Sequence, residues 1–408
     1  MTRLDLPAAE RPDVSVVTVT YGGWRWTRRG LEALREHAEQ PFEVIAVDND
    51  SPDGTLDRLR DEVRGIRVVA NPRNVGFAAA ADQGAALARG RVLVFLNPDA
   101  MVRGGWLPPL LEALEADPWV GAAVPRLLNP DGTVQEAGGL VFSDGRTMLY
   151  GFGEPADHPR YRFRRYVDYG SAACLAIGRR TFLALGGFDP IYTPAYCEDV
   201  DLLLRLRSHG PRTVLEPRSE VVHVRFGSSA TGEERMAMAE RNTTTLRERW
   251  SEVLADRPPV PQDPTDAHLV LASRDADATD RILVVGDGVH DRFLADLAER
   301  CRLGRVTYLT TGPRAADAAV VRDLCAAGVE VEGPLVEPDA WWRERLFHYT
   351  AVVVPEGRPL WLRRRLHESQ PQASLIAGRD LEGSMAELRR VGLLSDPRAP
   401  EEPPVAIR

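Results

Sequence analysis

The chain contains no lysine: all 51 basic side chains among its 408 residues are arginine. A phosphate-binding loop of the Walker type needs its lysine, and Schiff-base or pyridoxal chemistry needs an amine nucleophile. Both are excluded. Any diphosphate bound here must be neutralised by arginine, backbone N–H groups or a metal ion. Codon bias in a GC-rich genome is the simplest source of such a composition. Cysteine is scarce too. Cys174, Cys197, Cys301 and Cys325 stand apart, with no close pair to suggest zinc or a redox motif, so a reducing cytoplasm is the expected compartment. No run of about 18 apolar residues exists, so no membrane-spanning segment is expected. Residues 1–13 lack the apolar centre of a signal peptide. The net charge of −9 lacks the basic footprint of nonspecific nucleic-acid binding, and no nucleic-acid partner is expected.

What is present is an apolar content of 44%, enough for a sizeable core, in a chain long enough for two or three domains. Val14–Tyr21 is a β-branched run suited to a buried strand, broken by Gly22-Gly23, and Trp24–Glu39 has helical spacing. Phe42–Val47 is a second strand and ends in Asp48-Asn-Asp-Ser-Pro-Asp-Gly54. Arg67–Ala70 is a third, followed by Asn71-Pro-Arg-Asn-Val-Gly-Phe77 and an alanine-rich helix to Ala88. Arg91–Leu96 is a fourth and ends in Asn97-Pro-Asp99. Strand, helix, strand repeated in this way predicts a mostly parallel α/β sheet, with ligands beyond the carboxyl ends of its strands. Thr20, Tyr21, Asp48, Asp50, Asn97 and Asp99 all fall at those ends.

The runs VSVVTVTY, VDNDSPDGT, NVGFAAAADQG and VLVFLNPDA, then Gly170-Ser-Ala, Gly186-Gly-Phe-Asp189, Glu198-Asp-Val-Asp-Leu-Leu-Leu-Arg-Leu206, His223 and Gly227-Ser228, follow one another in order. Together they resemble a family 2 inverting glycosyltransferase of the GT-A fold over about residues 13–250. The likeness is greatest to the rhamnosyltransferase-like branch, where Asn-Pro-Asp often replaces Asp-x-Asp. The resemblance implies a sugar moved from a nucleotide-diphosphate donor to a hydroxyl of a glycan or lipid-linked acceptor, rhamnose being one candidate sugar. Cell-surface polysaccharide synthesis is the implied setting.

The resemblance also implies a site. Thr20, Tyr21, Asp48, Asn74, Asp82 and Asn97 are expected at the nucleotide-sugar, Tyr21 against the base and Asp48 on base or ribose. Asp48 and Asp53 have a second reading, as Asx-turn or helix-cap residues. Asp82 stands where relatives more often carry asparagine. Asp99 and His223 are the expected ligands of Mg²⁺ or Mn²⁺, hard cations that take few protein ligands and several from phosphate and water; Gly227 follows His223 one residue later than the family spacing. Asp199 matches the general base, the one base that a direct displacement needs. Asp201 is expected to support the helix. The basic, aromatic run Arg160–Arg165 reads either as an exposed loop or as a contact for an anionic acceptor at a membrane surface.

The domain boundaries expected are 1–255 for the GT-A domain, 256–280 for a Pro- and Asp-rich linker, 281–378 for a smaller Rossmann-like αβ accessory domain, and 379–408 for a tail. Gly286-Asp-Gly288 follows the first strand of the accessory domain, but Asp291 replaces the third glycine of a dinucleotide fingerprint. That domain faintly resembles half of a GT-B fold, without room for the nucleotide-sugar half, and packing, homo-oligomer formation or acceptor binding are its expected roles. Two rival readings remain at this stage. One is a degenerate relative that binds sugar nucleotide or polysaccharide without turnover. The other is an NAD-dependent oxidoreductase or a hydrolase, against which stand the failed fingerprint and Gly227–Thr231, which lacks the last glycine of a nucleophile elbow. The expected location is cytoplasmic, with peripheral contact at the inner face of the plasma membrane.

Overall fold

The computed structural model describes residues 3–7, 9–225, 232–263, 265–286, 291–300, 304–310, 317–333, 338–355, 360–378, 387–388 and 390. Gly227-Ser228, the segment 227–231, Gly288, Cys301 and nearly all of the expected tail lie outside them. Two units divide the chain: one comprises Met1–Ala156 and Tyr166–Arg257, the other Asp157–Arg165 and the described residues from Pro258 onward. Among the described residues no helix is long and apolar enough to cross a membrane.

In the first unit the Val14–Thr20 strand is almost wholly buried, as a β-branched run covered on both faces of a sheet should be. It pairs in parallel with Phe42–Asp48 and Val92–Leu96, and Ile66–Ala70 extends the parallel set. The helices Trp24–Glu36, Thr55–Glu62 and Phe77–Leu87 make the crossovers. The first of these has no cap of its own, because its N-cap is Gly23 in a left-handed turn. Asp53 supplies the cap from the next loop, accepting from the N–H groups of Gly23 (2.8 Å) and Trp24 (3.3 Å) and from Thr55 in its own turn. Burial opposes ionisation there, but these donors hold the Asp53 carboxyl below its ordinary range.

The sheet as a whole is mixed rather than mostly parallel. Ten strands belong to it, and Cys174–Gly178 enters antiparallel between Val92–Leu96 and Val120–Leu128. Arg212–His223 then runs parallel to Val120–Leu128 and antiparallel to Ala100–Val102, with His223 opposite Ala100. Between Glu216 and Glu220 this strand bulges: the two pair with the consecutive Pro125 and Arg126.

The second unit contains a five-stranded, all-parallel sheet in the order Val329–Glu332, Arg305–Thr310, Arg281–Gly286, Ala351–Pro355, Ser374–Gly378, with helices between the strands. Such an order is Rossmann-like. The stretch expected as a linker holds a helix, Ala267–Arg274, whose N-cap Asp266 accepts from the N–H groups of His268 and Leu269. The fully buried Asp275 follows. Its carboxylate meets Arg274 (2.5 and 2.8 Å), Arg305 (2.8 Å) and His348 (3.1 Å), and Glu330 joins Arg274 to Arg345 at 3.0 Å each. The Arg160–Arg165 run is likewise drawn into this unit. Arg160 pairs with Glu344 at 2.5 Å, Tyr161 and Phe163 are buried, and Arg274 lies over the Phe163 ring at 5.4 Å. Of the four arginines in that run only Arg162 is exposed, so the run is not a free basic patch.

Candidate active site

A cavity of about 1110 Å³ opens at the carboxyl ends of the parallel strands of the first unit. Tyr21, Asn49, Asn74, Asn97, Asp99 and His223 line it, as do Pro194, Ala195, Tyr196, Arg225 and Arg235. Of the residues expected at the site, Tyr21, Asn74, Asn97, Asp99 and His223 therefore converge here. Thr20, Asp48, Asp82 and Asp199 are not on its wall.

Strand register brings the polar floor together. Because His223 sits opposite Ala100, its Nε2 lies 3.3 Å from Asp99 Oδ1 and 3.3 Å from Asn97 Nδ2. The imidazole is held from behind by Gln135. The amide of Gln135 donates to Asn129 Oδ1 (3.0 Å) and to the His223 carbonyl (2.8 Å), so its Oε1 must be the atom 2.7 Å from His223 Nδ1. Nδ1 therefore donates to Gln135, and in the neutral ring this leaves the Nε2 lone pair facing a carboxylate oxygen. A lone pair and a carboxylate oxygen turned toward each other are the donor set a divalent cation takes, with Gln135 fixing the tautomer. Asp99 and His223 thus fit a metal ion, with Asn97 beside them.

Beside this floor an amide network holds the Asn71–Gly76 loop. Asn49 donates from Nδ2 to Asn74 Oδ1 (2.8 Å) and the Gly76 carbonyl (3.2 Å), while its Oδ1 accepts from the Val75 N–H (3.0 Å) and Asn71 Nδ2 (3.1 Å). Asn49 is buried and lines the cavity, and sequence reasoning missed it; its only signal was its place between Asp48 and Asp50.

Asp48 behaves as a turn residue. It is fully buried, and its oxygens accept from Thr20 Oγ1 (2.9 Å), the Ser51 hydroxyl (2.5 Å) and the Ser51 N–H (3.1 Å). Thr20 is consumed in the same contact. Asp82 lies beneath the Gly186–Asp189 loop, accepting from the Phe188 N–H at 3.0 Å, and burial pushes its carboxyl up to about 6. Asp201 is completely buried and is held by Tyr192 (3.2 Å), Arg205 (2.8 Å) and the Trp250 indole (2.9 Å).

Asp199 opens the Glu198–Ser208 helix. Its Oδ2 accepts from the Ala172 N–H (3.1 Å) and its Oδ1 from the Val200 N–H (2.8 Å), and the neighbouring Ala173 carbonyl accepts from the Asn97 N–H (3.0 Å). One short loop therefore ties Asp199 to the Asn-Pro-Asp turn. Burial pushes the Asp199 carboxyl up against those donors, and burial together with Asp199 pushes Glu198 well up. Glu136 accepts from the adjacent Ser171 N–H (2.9 Å), and burial first, then the charge of Asp199, raises it to about 8.

A sequence profile described as Glycosyl transferase family 2 matches residues 15–183. The chain is also 30% identical over 238 residues to the N-acetylglucosaminyl-diphospho-decaprenol L-rhamnosyltransferase of Mycobacterium tuberculosis, an alignment covering 51% of this chain and 75% of that protein. The chain belongs to glycosyltransferase family 2. Other relatives are much longer. Uncharacterized protein y4gI of Sinorhizobium fredii is 30% identical over 260 residues, 60% of this chain but 28% of its own length. O-antigen biosynthesis protein RfbC of Myxococcus xanthus is 30% identical over 234 residues, covering 54% of this chain and 18% of its own. Among solved structures, GalNAc-T7 with UDP, GalNAc and Mn2+ superposes with a TM-score of 0.47 at 20% identity, over 60% of this chain and 50% of that one.

Membership of family 2 makes the chain a glycosyltransferase by class and its first unit a GT-A type α/β domain. In that domain the Gly22-Gly23 turn, the Asn71–Gly76 loop and the Asn-Pro-Asp turn all stand where the parallel strands end, the rim at which such sheets hold ligands. The family profile stops at residue 183, short of both Asp199 and His223.

Proposed function

We propose that this family 2 protein is a metal-dependent inverting glycosyltransferase. It moves a sugar, with rhamnose the leading candidate, from a nucleotide-diphosphate donor to a hydroxyl of a glycan or lipid-linked acceptor in cell-surface polysaccharide synthesis. The observation that carries the reading is the Asp99–His223 pair on the cavity floor, joined through the Ala172–Ala173 loop to the raised carboxyl of Asp199. The acceptor oxygen attacks the anomeric carbon as the bond to the diphosphate breaks, and the acceptor proton passes to Asp199. A desolvated carboxylate is the better base for this at neutral pH.

Tyr21, Asn49, Asn74 and Asn97 bind and orient the donor, Asn97 from the floor beside the diphosphate, while Thr20 and Asp48 brace the rim beneath Tyr21 and Asp82 braces the loop beneath the acceptor. Asp99 and His223 would hold Mg²⁺ or Mn²⁺, and the bound ion would offset the charge of the departing diphosphate. Among the described residues no third His, Cys, Asp or Glu joins them, so this chain would give the ion few ligands, as hard cations at phosphate sites commonly receive. Arg225 and Arg235, which also line the cavity, supply the positive charge that lysine supplies in other phosphate sites. The M. tuberculosis relative is named for N-acetylglucosaminyl-diphospho-decaprenol, which makes a lipid-linked diphosphate sugar the acceptor to try first.

Purified protein is expected to transfer or hydrolyse a nucleotide-sugar only with Mg²⁺ or Mn²⁺, and the preferred donor is expected to raise its melting temperature in that metal's presence. Asp99→Ala should abolish the metal-dependent part of that rise. Turnover that continues undiminished in excess chelator would remove the metal from the reading.

A further inference from the structure

Residues 190–197 form the loop ahead of the Glu198–Ser208 helix, and Pro194, Ala195 and Tyr196 face the cavity. The loop ends in two consecutive left-handed residues, Tyr196 (φ 78°) and Cys197 (φ 71°), immediately before Glu198 and Asp199. Neither is a residue type that favours this backbone, so the geometry that aims the first helical turn must be imposed from outside.

It is imposed from the helix Gly232–Arg249. Asn242 is completely buried, and its Nδ2 is within hydrogen-bond distance of three loop carbonyls: Tyr192 (2.8 Å), Ala195 (2.8 Å) and Tyr196 (3.0 Å). Arg241, exposed beside it, donates from Nε to Asn242 Oδ1 (3.1 Å) and from Nη2 to the Thr193 carbonyl (2.6 Å). With Oδ1 occupied by Arg241, the amide N–H groups have only the loop carbonyls to meet, so the orientation of the amide is fixed by the network. The opposite side of the loop is closed by the Phe77 N–H on the Pro194 carbonyl (2.9 Å). A Cβ on Gly76 would come within 2.9 Å of Thr193 Cγ2, so this glycine is what lets the loop approach. Four successive carbonyl-bearing residues of the loop, and Tyr192 before them, are thus tied down by other elements.

We infer that Asn242 and Arg241 are positioning residues for the transfer step: they hold the loop whose strained end sets Asp199 against the acceptor, and they take no part in donor binding. The inference rests on the reading of Asp199 as the base. A residue acting through Asp199 lowers kcat and leaves donor affinity alone, whereas one serving only to stabilise the fold lowers the melting temperature and leaves kcat intact well below it.

The test uses the full chain with Mn²⁺ and the preferred nucleotide-sugar, measuring kcat, donor Kd by calorimetry and melting temperature. Asn242→Ala is expected to lower kcat by about 100-fold, the scale of a small misplacement remote from the chemistry, with donor Kd within about twofold. Arg241→Ala is expected to fall about 3- to 10-fold in the same pattern, since it orients the amide and holds one carbonyl. An unchanged kcat in folded Asn242→Ala, or a donor affinity that falls in step with kcat, overturns the proposal. If Asn242→Ala does not fold, Arg241→Ala decides alone, because its side chain is exposed; an unchanged kcat there overturns the clamp. Asp199→Asn, run alongside, separates the two readings. Native transfer in that control defeats the base assignment and this inference with it, while lost transfer there with native kcat in both clamp variants defeats the inference only.

Discussion

Asp199→Asn lowers transfer by at least about a hundredfold while donor affinity stays close to native. The substitution preserves shape but removes the capacity to accept a proton, and a displacement without covalent intermediate offers no second base. Of the two backbone N–H groups that grip the carboxylate, from Ala172 and Val200, the amide oxygen retains one, and the other faces the new NH2 group. On the proposed reading the donor is held by Tyr21, Asn74 and Asp99, which line the cavity, whereas Asp199 does not. The acid limb of the native pH profile carries the same signature. Burial raises the Asp199 carboxyl, so activity rises with pH through a midpoint above the ordinary carboxylate range, and that limb disappears from the residual activity of the variant. Initial rates across pH, with calorimetric donor binding, check both statements; a native rate in Asp199→Asn takes the residue out of the mechanism.

The second large effect lies in the other unit. Asp275→Asn destabilises it by about 3–5 kcal/mol, the cost of removing one partner from a buried ionic group. Asp275 has no exposed surface and faces Arg274, Arg305 and His348, which would keep their positive charge or their donors in the interior with a neutral amide opposite. Although burial alone favours the protonated acid, those partners hold the Asp275 carboxyl well below its usual range. The sign follows: this stability is fully present above the unfolded carboxylate range and is lost only as pH falls through the depressed folded value. Hydrogen exchange at the Arg281–Gly286 and Arg305–Thr310 strands, on the full chain at neutral pH, reads the change locally. Unchanged protection there would show that the cluster contributes nothing net. The cluster sits where the parallel strands begin, at Arg305 and Glu330, and ligands in such sheets bind where strands end. It stabilises the unit and is not a second site.

The parallel half of the first sheet was legible because its strands are buried on both faces and so are written as β-branched runs with polar residues at their ends. The antiparallel strand Cys174–Gly178 was not, since a five-residue apolar segment has the same appearance in either direction. Asp99, Asn97 and His223, expected at one site, do lie together, and the turn and the strand end that carry them have a recognisable pattern. Asp48 was expected at the ligand from its position at a strand end, and in the structure Thr20 and Ser51, three residues on, hold its carboxylate locally. Gln135 and Asn242 act across 88 and about 50 residues of chain, and neither has a local signal that separates it from any other polar side chain. The helix Ala267–Arg274 did have one, an Asp N-cap before His-Leu-Val-Leu, hidden by the proline-rich composition around it.

The bulge at Pro217–Ser219 decides a question of parity. Along a strand alternate side chains face opposite ways, and the strand that ends in His223 reaches the Asn-Pro-Asp turn only after these extra residues have reset its count. It is therefore the bulge, five residues upstream and touching no ligand, that turns an imidazole rather than the valine at 222 toward Asp99. Where a change of length there is odd and is not absorbed within the bulge, the faces invert and the imidazole turns away from Asp99, a slip that the pairing of His223 with Ala100 opposes. Chain length in that stretch is as much a part of the site as the identity of the histidine.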